Sequence, residues 1–135
     1  MSGPDRRHAV VVARRVAASW GDADGAGVPR NVVASALLHD SGKVDARLGT
    51  LGRSVATLVA VVAGRERAAS WARRGTGWAS RVGRYVTHDR IGSEMLREAG
   101  SDPLTVAWAR EHHLPSSAWT VDSRIGAVLK AADDD

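Results

Sequence analysis

Cysteine and phenylalanine are absent from this 135-residue sequence, and lysine occurs only at Lys43 and Lys130. The missing cysteine removes disulfides, thiolate zinc sites and cysteine nucleophiles together, so any metal must be held by nitrogen and oxygen. No run approaches the roughly 18 consecutive apolar residues of a membrane span, and residues 1–8 carry no apolar signal core. A cytoplasmic protein without a membrane span is therefore expected. With 44% hydrophobic residues, the length suits one domain over residues 1–135, closing its own core.

What is present in place of lysine is arginine. Of 19 basic residues all but two are arginine, which leaves 17, and against 15 acidic residues the formal net charge is +4. Guanidinium suits phosphate, but the clusters Arg6 with Arg7, Arg14 with Arg15 and Arg73 with Arg74 are short and scattered. They read as solvated helix faces, and nucleic acid is not expected as a partner. The tryptophans at 20, 71, 78, 108 and 119 are expected in the core rather than as a base-stacking platform.

Apolar spacing and breaks then divide the chain into helices. Residues 4–20 have proline near the start and Val12, Val16 and Trp20 spaced by four. A glycine- and aspartate-rich stretch, residues 21–27, follows. Asp22, Asp24 and Gly25 faintly resemble a calcium loop, but the later ligands are missing and a turn is expected. Pro29 opens a second helix that ends at His39 and Asp40, with Gly42 as its stop. Residues 51–63, with Leu51, Val55, Leu58, Val59 and Val62 at helical spacing, predict a buried helix.

Residues 64–84 mix arginine with Trp71 and Trp78 around Gly75 and Gly77. A pair of short surface helices is expected there, with a basic lid as the alternative. His88 begins another helix that Gly100 ends. Asp102 before Pro103 marks the start of a helix reaching His112 and His113. Ile125, Val128, Leu129 and Ala132 form the apolar face of a last one, with Asp122 as its cap. The fold class is all-α, a single compact bundle of about six to seven helices.

All five histidines fall on these helices or their ends: His8, His39, His88, His112 and His113. Successive helical residues point about 100° apart, so His39 and Asp40 cannot chelate alone and need ligands from other helices. Taken together, these residues resemble the HD-domain superfamily of metal-dependent phosphohydrolases over nearly the whole chain. The resemblance implies one metal held by His8, His39, Asp40 and Asp133, the last within Ala-Val-Leu-Lys-Ala-Ala-Asp. It implies a second held by His88 and His112, with His113 as a further ligand. Asp134 is a neighbouring alternative to Asp133. His88 and Asp89 form a second doublet, but the apolar helix before His39 and the Gly42 and Lys43 that follow make the first doublet the central one. His113 is followed by Leu-Pro-Ser-Ser-Ala-Trp rather than the Gly-Tyr-Pro continuation of the cyclic-dinucleotide branch, so that branch's substrate is not implied.

Imidazole and carboxylate suit one or two divalent ions, iron, manganese or zinc first and magnesium less readily. Asp40 has two oxygens to share between metals, and the resemblance implies that Lys43 neutralises a phosphoryl oxygen or assists the leaving group, with a solvent-exposed lysine after the helix stop as the alternative. The expected function is hydrolysis of a phosphate ester or phosphoanhydride of a small phosphorylated metabolite or nucleotide. The alternatives are an HD-type diiron oxygenase and a non-catalytic nucleotide-sensing module.

Overall fold

The computed structural model describes residues 3–21, 27–43, 48 and 50–134. Among them are eight α-helices and no strand, so the chain is all-α. They are α1 (Gly3–Ser19), α2 (Arg30–Leu38), α3 (Thr50–Ala63), α4 (Arg65–Arg74), α5 (Gly77–Val86), α6 (His88–Glu98), α7 (Pro103–Glu111) and α8 (Ser123–Asp134), with a 3-10 turn at Ser116–Ala118. This slightly exceeds the expected six to seven, and residues 64–84 form the expected pair of short helices. None of the helices is long and apolar enough to cross a membrane. The calcium-loop reading of Asp22 to Gly25 lies outside the described residues.

Two apolar clusters organise the bundle. The first joins Val12 and Val16 of α1, Val32 and Ala36 of α2, Trp108 of α7, and Leu129 and Ala132 of α8. Its members recur at three- and four-residue spacing, which puts them on one face of each helix. The α2–α7 contact also buries Ser35 and Thr105; Ser35 Oγ lies 2.7 Å from the Asn31 carbonyl and 3.2 Å from Thr105 Oγ1, so neither hydroxyl is stranded. Asp102 caps α7 by accepting from Leu104 N at 2.9 Å, and Asp122 caps α8 by accepting from Arg124 N and Ile125 N, both as expected.

The second cluster gathers Leu48, Ala56 of α3, Ala68 of α4, and Val82 and Val86 of α5. Here α4 and α5 form a hairpin so close that a Cβ on Gly83 would lie 2.2 Å from Ala72 N. Arg65, Arg67, Arg73, Arg74, Arg81 and Arg84 are all exposed, and the segment forms the expected pair of short helices.

Two expectations about burial need correction. Helix α3 is not a buried helix: Leu58 is 63%, Val61 76% and Val62 81% exposed, while Ala56 is fully covered. Its apolar residues run round most of its circumference, but among the described residues it packs mainly on α4 and α5, which leaves Leu58, Val61 and Val62 exposed. Leu58→Ser is accordingly expected to shift unfolding free energy by no more than about 0.5 kcal/mol. A buried leucine would cost at least about 2 kcal/mol, and a urea titration separates the two. The tryptophans are also not uniformly core. Trp108 is buried and Trp119 packs edge-on against it at 5.4 Å. Trp78, in the first turn of α5 and outside the stretch where Val82 and Val86 pack, is 46% exposed.

Candidate metal centre

The chain delivers His39 and Asp40 at the end of α2, where His39 N still bonds to the Ser35 carbonyl before residues 39–42 turn. The turn is pinned against the start of α6. A Cβ on Gly42 would meet the His88 carbonyl oxygen at 1.9 Å and Gly92 N at 2.6 Å. Gly42 is therefore more than a helix stop; it lets the backbone of the doublet approach the backbone that carries His88. His112 and His113 arrive from the end of α7, His8 from the second turn of α1, and Asp133 from the last turn of α8.

Seven side chains meet in two adjoining groups: Asp40, His88, His112 and His113 in one, and His8, His39 and Asp133 in the other. In the second group both imidazoles face one carboxylate oxygen, His8 Nε2 at 2.9 Å and His39 Nε2 at 3.3 Å from Asp133 Oδ1. Asp40 stands between the groups. Its Oδ1 lies 3.5 Å from His88 Nε2 and 3.8 Å from His112 Nε2, and its Oδ2 lies 3.7 Å from His39 Nε2.

The ring orientations follow from the helices themselves. A carbonyl can only accept, so a ring nitrogen bonded to one must carry the proton. His39 Nδ1 donates to the Ala36 carbonyl at 2.9 Å, and His88 Nδ1 to the Tyr85 carbonyl at 2.7 Å. His112 Nδ1 shares the Trp108 and Ala109 carbonyls at 3.2 Å. With Nδ1 held by a carbonyl, each ring turns its Nε2 into the cluster, the arrangement in which a second hydrogen bond orients a metal ligand.

Bare nitrogens and carboxylate oxygens facing one another repel unless something positive lies among them. His112 Nε2 and Asp40 Oδ1 are buried and have no hydrogen-bond partner, whereas His88 Nε2 lies within hydrogen-bonding distance of His113 Nε2, at 3.3 Å. Burial opposes charge on His39, but its hydrogen bond to Asp133 and the carboxylates of Asp40 and Asp133 raise its pKa. Burial also opposes ionisation of the two carboxylates. Even so, His88, His39 and Lys43 hold Asp40 well below the usual carboxylate range, and His39, His8 and His112 do the same for Asp133. Burial, with His113 and His39 beside it, pushes His112 down to about 3; burial and His88 push His113 down to about 4. At pH 7 the carboxylates are charged and these two rings neutral, the protonation states a cation requires.

The spacings fit as well. With metal–ligand bonds of about 2.0–2.2 Å, adjacent donors of one ion stand about 3.0–3.5 Å apart. The donor separations given above run from 2.9 to 3.8 Å, and within each group the donors all lie within 4.8 Å of one another. The chain thus contains a largely buried His/Asp group able to hold a metal ion.

All seven residues singled out as ligands come together here. Lys43 is half-buried at the edge of the cluster, and its Nζ donates to Asp40 Oδ2. Asp89 belongs to neither ligand group and instead accepts from Arg90 N at 2.8 Å, and Asp134 turns outward to pair with Lys130. Sequence reasoning missed Tyr85, whose ring stacks on His88 with centroids 5.7 Å apart and whose carbonyl fixes that histidine. It is the only tyrosine in the chain and stands three residues before a histidine, a signal that was present. Comparison with protein-family models, curated proteins and solved structures finds no match to this chain.

Proposed function

We propose that the protein is a metal-dependent phosphohydrolase of the HD-domain kind, acting on a phosphate ester or phosphoanhydride of a small metabolite or nucleotide. The observation that carries this reading is Asp40, a buried carboxylate placed between two ligand groups with Oδ1 unpartnered. His8, His39 and Asp133 would hold one ion, and His88, His112 and His113 the other, with Asp40 shared. Divalent iron, manganese or zinc, or less readily magnesium, would supply a water of lowered pKa and charge to offset that of the phosphoryl oxygens.

The chain's own residues supply the rest. The helix carbonyls keep the imidazoles in the tautomer that leaves Nε2 free. Lys43 Nζ fixes the orientation of Asp40, and its charge lies within reach of a phosphoryl oxygen brought to the cluster. In the reaction a water oxygen forms a bond to phosphorus, the phosphorus–oxygen bond to the leaving group breaks, and one water proton ends on the departing oxygen.

Elemental analysis of protein purified without added metal is expected to give about two equivalents of metal per chain. Removing it with a chelator is expected to lower the thermal midpoint by on the order of 10 °C, since tight binding to the folded state alone stabilises by a few kcal/mol. Phosphate release from a panel of monoesters and nucleotides tests the chemistry. Two irons with a mixed-valence signal, and no phosphate release with manganese, would replace this reading with an oxygenase. Tight nucleotide binding without turnover under any metal would replace it with a sensing module.

A further inference from the structure

Beside the cluster opens a cavity of about 620 Å³ with His88 and His113 in its lining. That volume lies within the roughly 300–1,000 Å³ typical of small-molecule sites. Ala60 and Val61 of α3 and Val86 of α5 give it apolar walls. Tyr85 adds an aromatic ring stacked on His88 at 24° between planes. Among the described lining residues Arg65 is the one cation apart from the histidines, and its Nη2 already donates to the Val86 carbonyl at 3.3 Å. None of those described residues carries a carboxylate. Beyond the rim the apolar surface continues along α3 through Leu58 and Val62, both more than half exposed.

This distribution discriminates between classes of phosphorylated compound. A nucleoside polyphosphate brings several charges, each needing a cation or a hydrogen-bond donor, and a base whose polar edge needs partners. One engaged arginine, one threonine hydroxyl and one tyrosine hydroxyl match that poorly. A monoester with an apolar alcohol places its only charge at the cluster and asks nothing polar of the walls.

We propose that the cavity between α3, α5 and the histidine cluster seats the leaving group of a phosphate monoester whose alcohol is an alkyl chain or an aromatic ring. The proposal rests on the phosphohydrolase reading of the cluster and names its substrate class. The ester dianion and water give the alcohol and hydrogen phosphate: the phosphorus–oxygen bond to the alcohol breaks, water's hydroxyl joins phosphorus, and the remaining water proton goes to the alkoxide oxygen.

An alkyl series tests this, because ethyl to hexyl phosphate lengthens the apolar group while leaving the reactivity of the ester almost constant. With the metal-loaded protein, kcat/KM is expected to rise about three- to fourfold per methylene, roughly 100-fold over the series. Calorimetric affinities of the matching, non-hydrolysable alkyl phosphonates are expected to rise with the same slope. Val61→Asp is expected to flatten both slopes at unchanged metal content. Flat series in both measurements, with phosphate still released, overturn the proposal and leave the hydrolase reading standing. Phosphonate affinity that climbs without phosphate release from any ester keeps the pocket and removes the hydrolase reading. Self-association that Leu58→Lys abolishes, together with a flat series, assigns the apolar face to a second copy of the chain and also overturns the proposal.

Discussion

Asp40→Asn is expected to reduce metal content from about two equivalents to one or fewer and to lower kcat for phosphate release by more than about 100-fold. Even disturbing an outer partner of a metal ligand costs 10- to 100-fold, and this change strikes the carboxylate that faces both groups. Asparagine keeps the volume, so the site does not collapse for lack of packing. It removes the negative charge that offsets the surrounding imidazoles and Lys43, and it exchanges one acceptor oxygen for an NH2 that only donates. Whichever way the amide settles, its NH2 points either at Lys43 Nζ or into the bare nitrogens of His88 and His112. Elemental analysis and initial rates on one preparation check the result. Two equivalents of metal in Asp40→Asn would show that the two groups bind independently of this carboxylate.

Gly42→Ala is expected to damage both the fold and the centre although it adds a single methyl group. The atoms that methyl would strike, the His88 carbonyl at 1.9 and 2.8 Å and Gly92 N at 2.6 Å, are all backbone, so no rotamer change relieves the overlap. The end of α2 and the start of α6 must move apart, and His39 and Asp40 separate from His88 when they do. Overpacking usually costs about 1–3 kcal/mol; a clash confined to main chain belongs at or above the upper end. The loss should appear together in the thermal midpoint of the metal-free protein and in its metal content afterwards. Gly21→Ala, which meets nothing within 4 Å, is the matched control and should leave both unchanged.

Much of this arrangement was legible from local signals. Asp102 before Pro103 announces a capped helix, and the breaks at Gly75 and Gly100 fall where helices end. The histidines stand out because five of them lie on helical segments in a chain that has no other nitrogen or sulfur donor suited to a metal. What escaped depends on neighbours distant in sequence. The apolar residues of α3 show by periodicity that a helix forms, but not that Leu58, Val61 and Val62 stay uncovered among the described residues. Gly42 looks like a helix stop when read along the chain, and only the position of α6 reveals the close approach. The ion pair of Lys43 with Asp40 went unread for another reason: the two are three residues apart, a spacing that brings opposite charges together. The pairing was available without any tertiary information.

The three buried histidines share a property with consequences for how the centre tolerates sequence change. His39, His88 and His112 are each oriented by carbonyls three or four residues earlier in the chain, at the end of α2, α5 and α7. Many metal ligands are held instead by a neighbouring carboxylate that a single substitution can delete. Here the supporting groups are main chain, which no side-chain replacement removes. Residues 36, 85, 108 and 109 can drift through any helix-compatible, similarly packed alternatives and the rings keep their aim. The vulnerable changes are those that alter the course of the backbone, such as a proline within the turn before each histidine. Mutational scanning of those turns should therefore find proline severe and conservative apolar exchanges mild, which leaves the flanking sequence of such a centre free to diverge while its geometry persists.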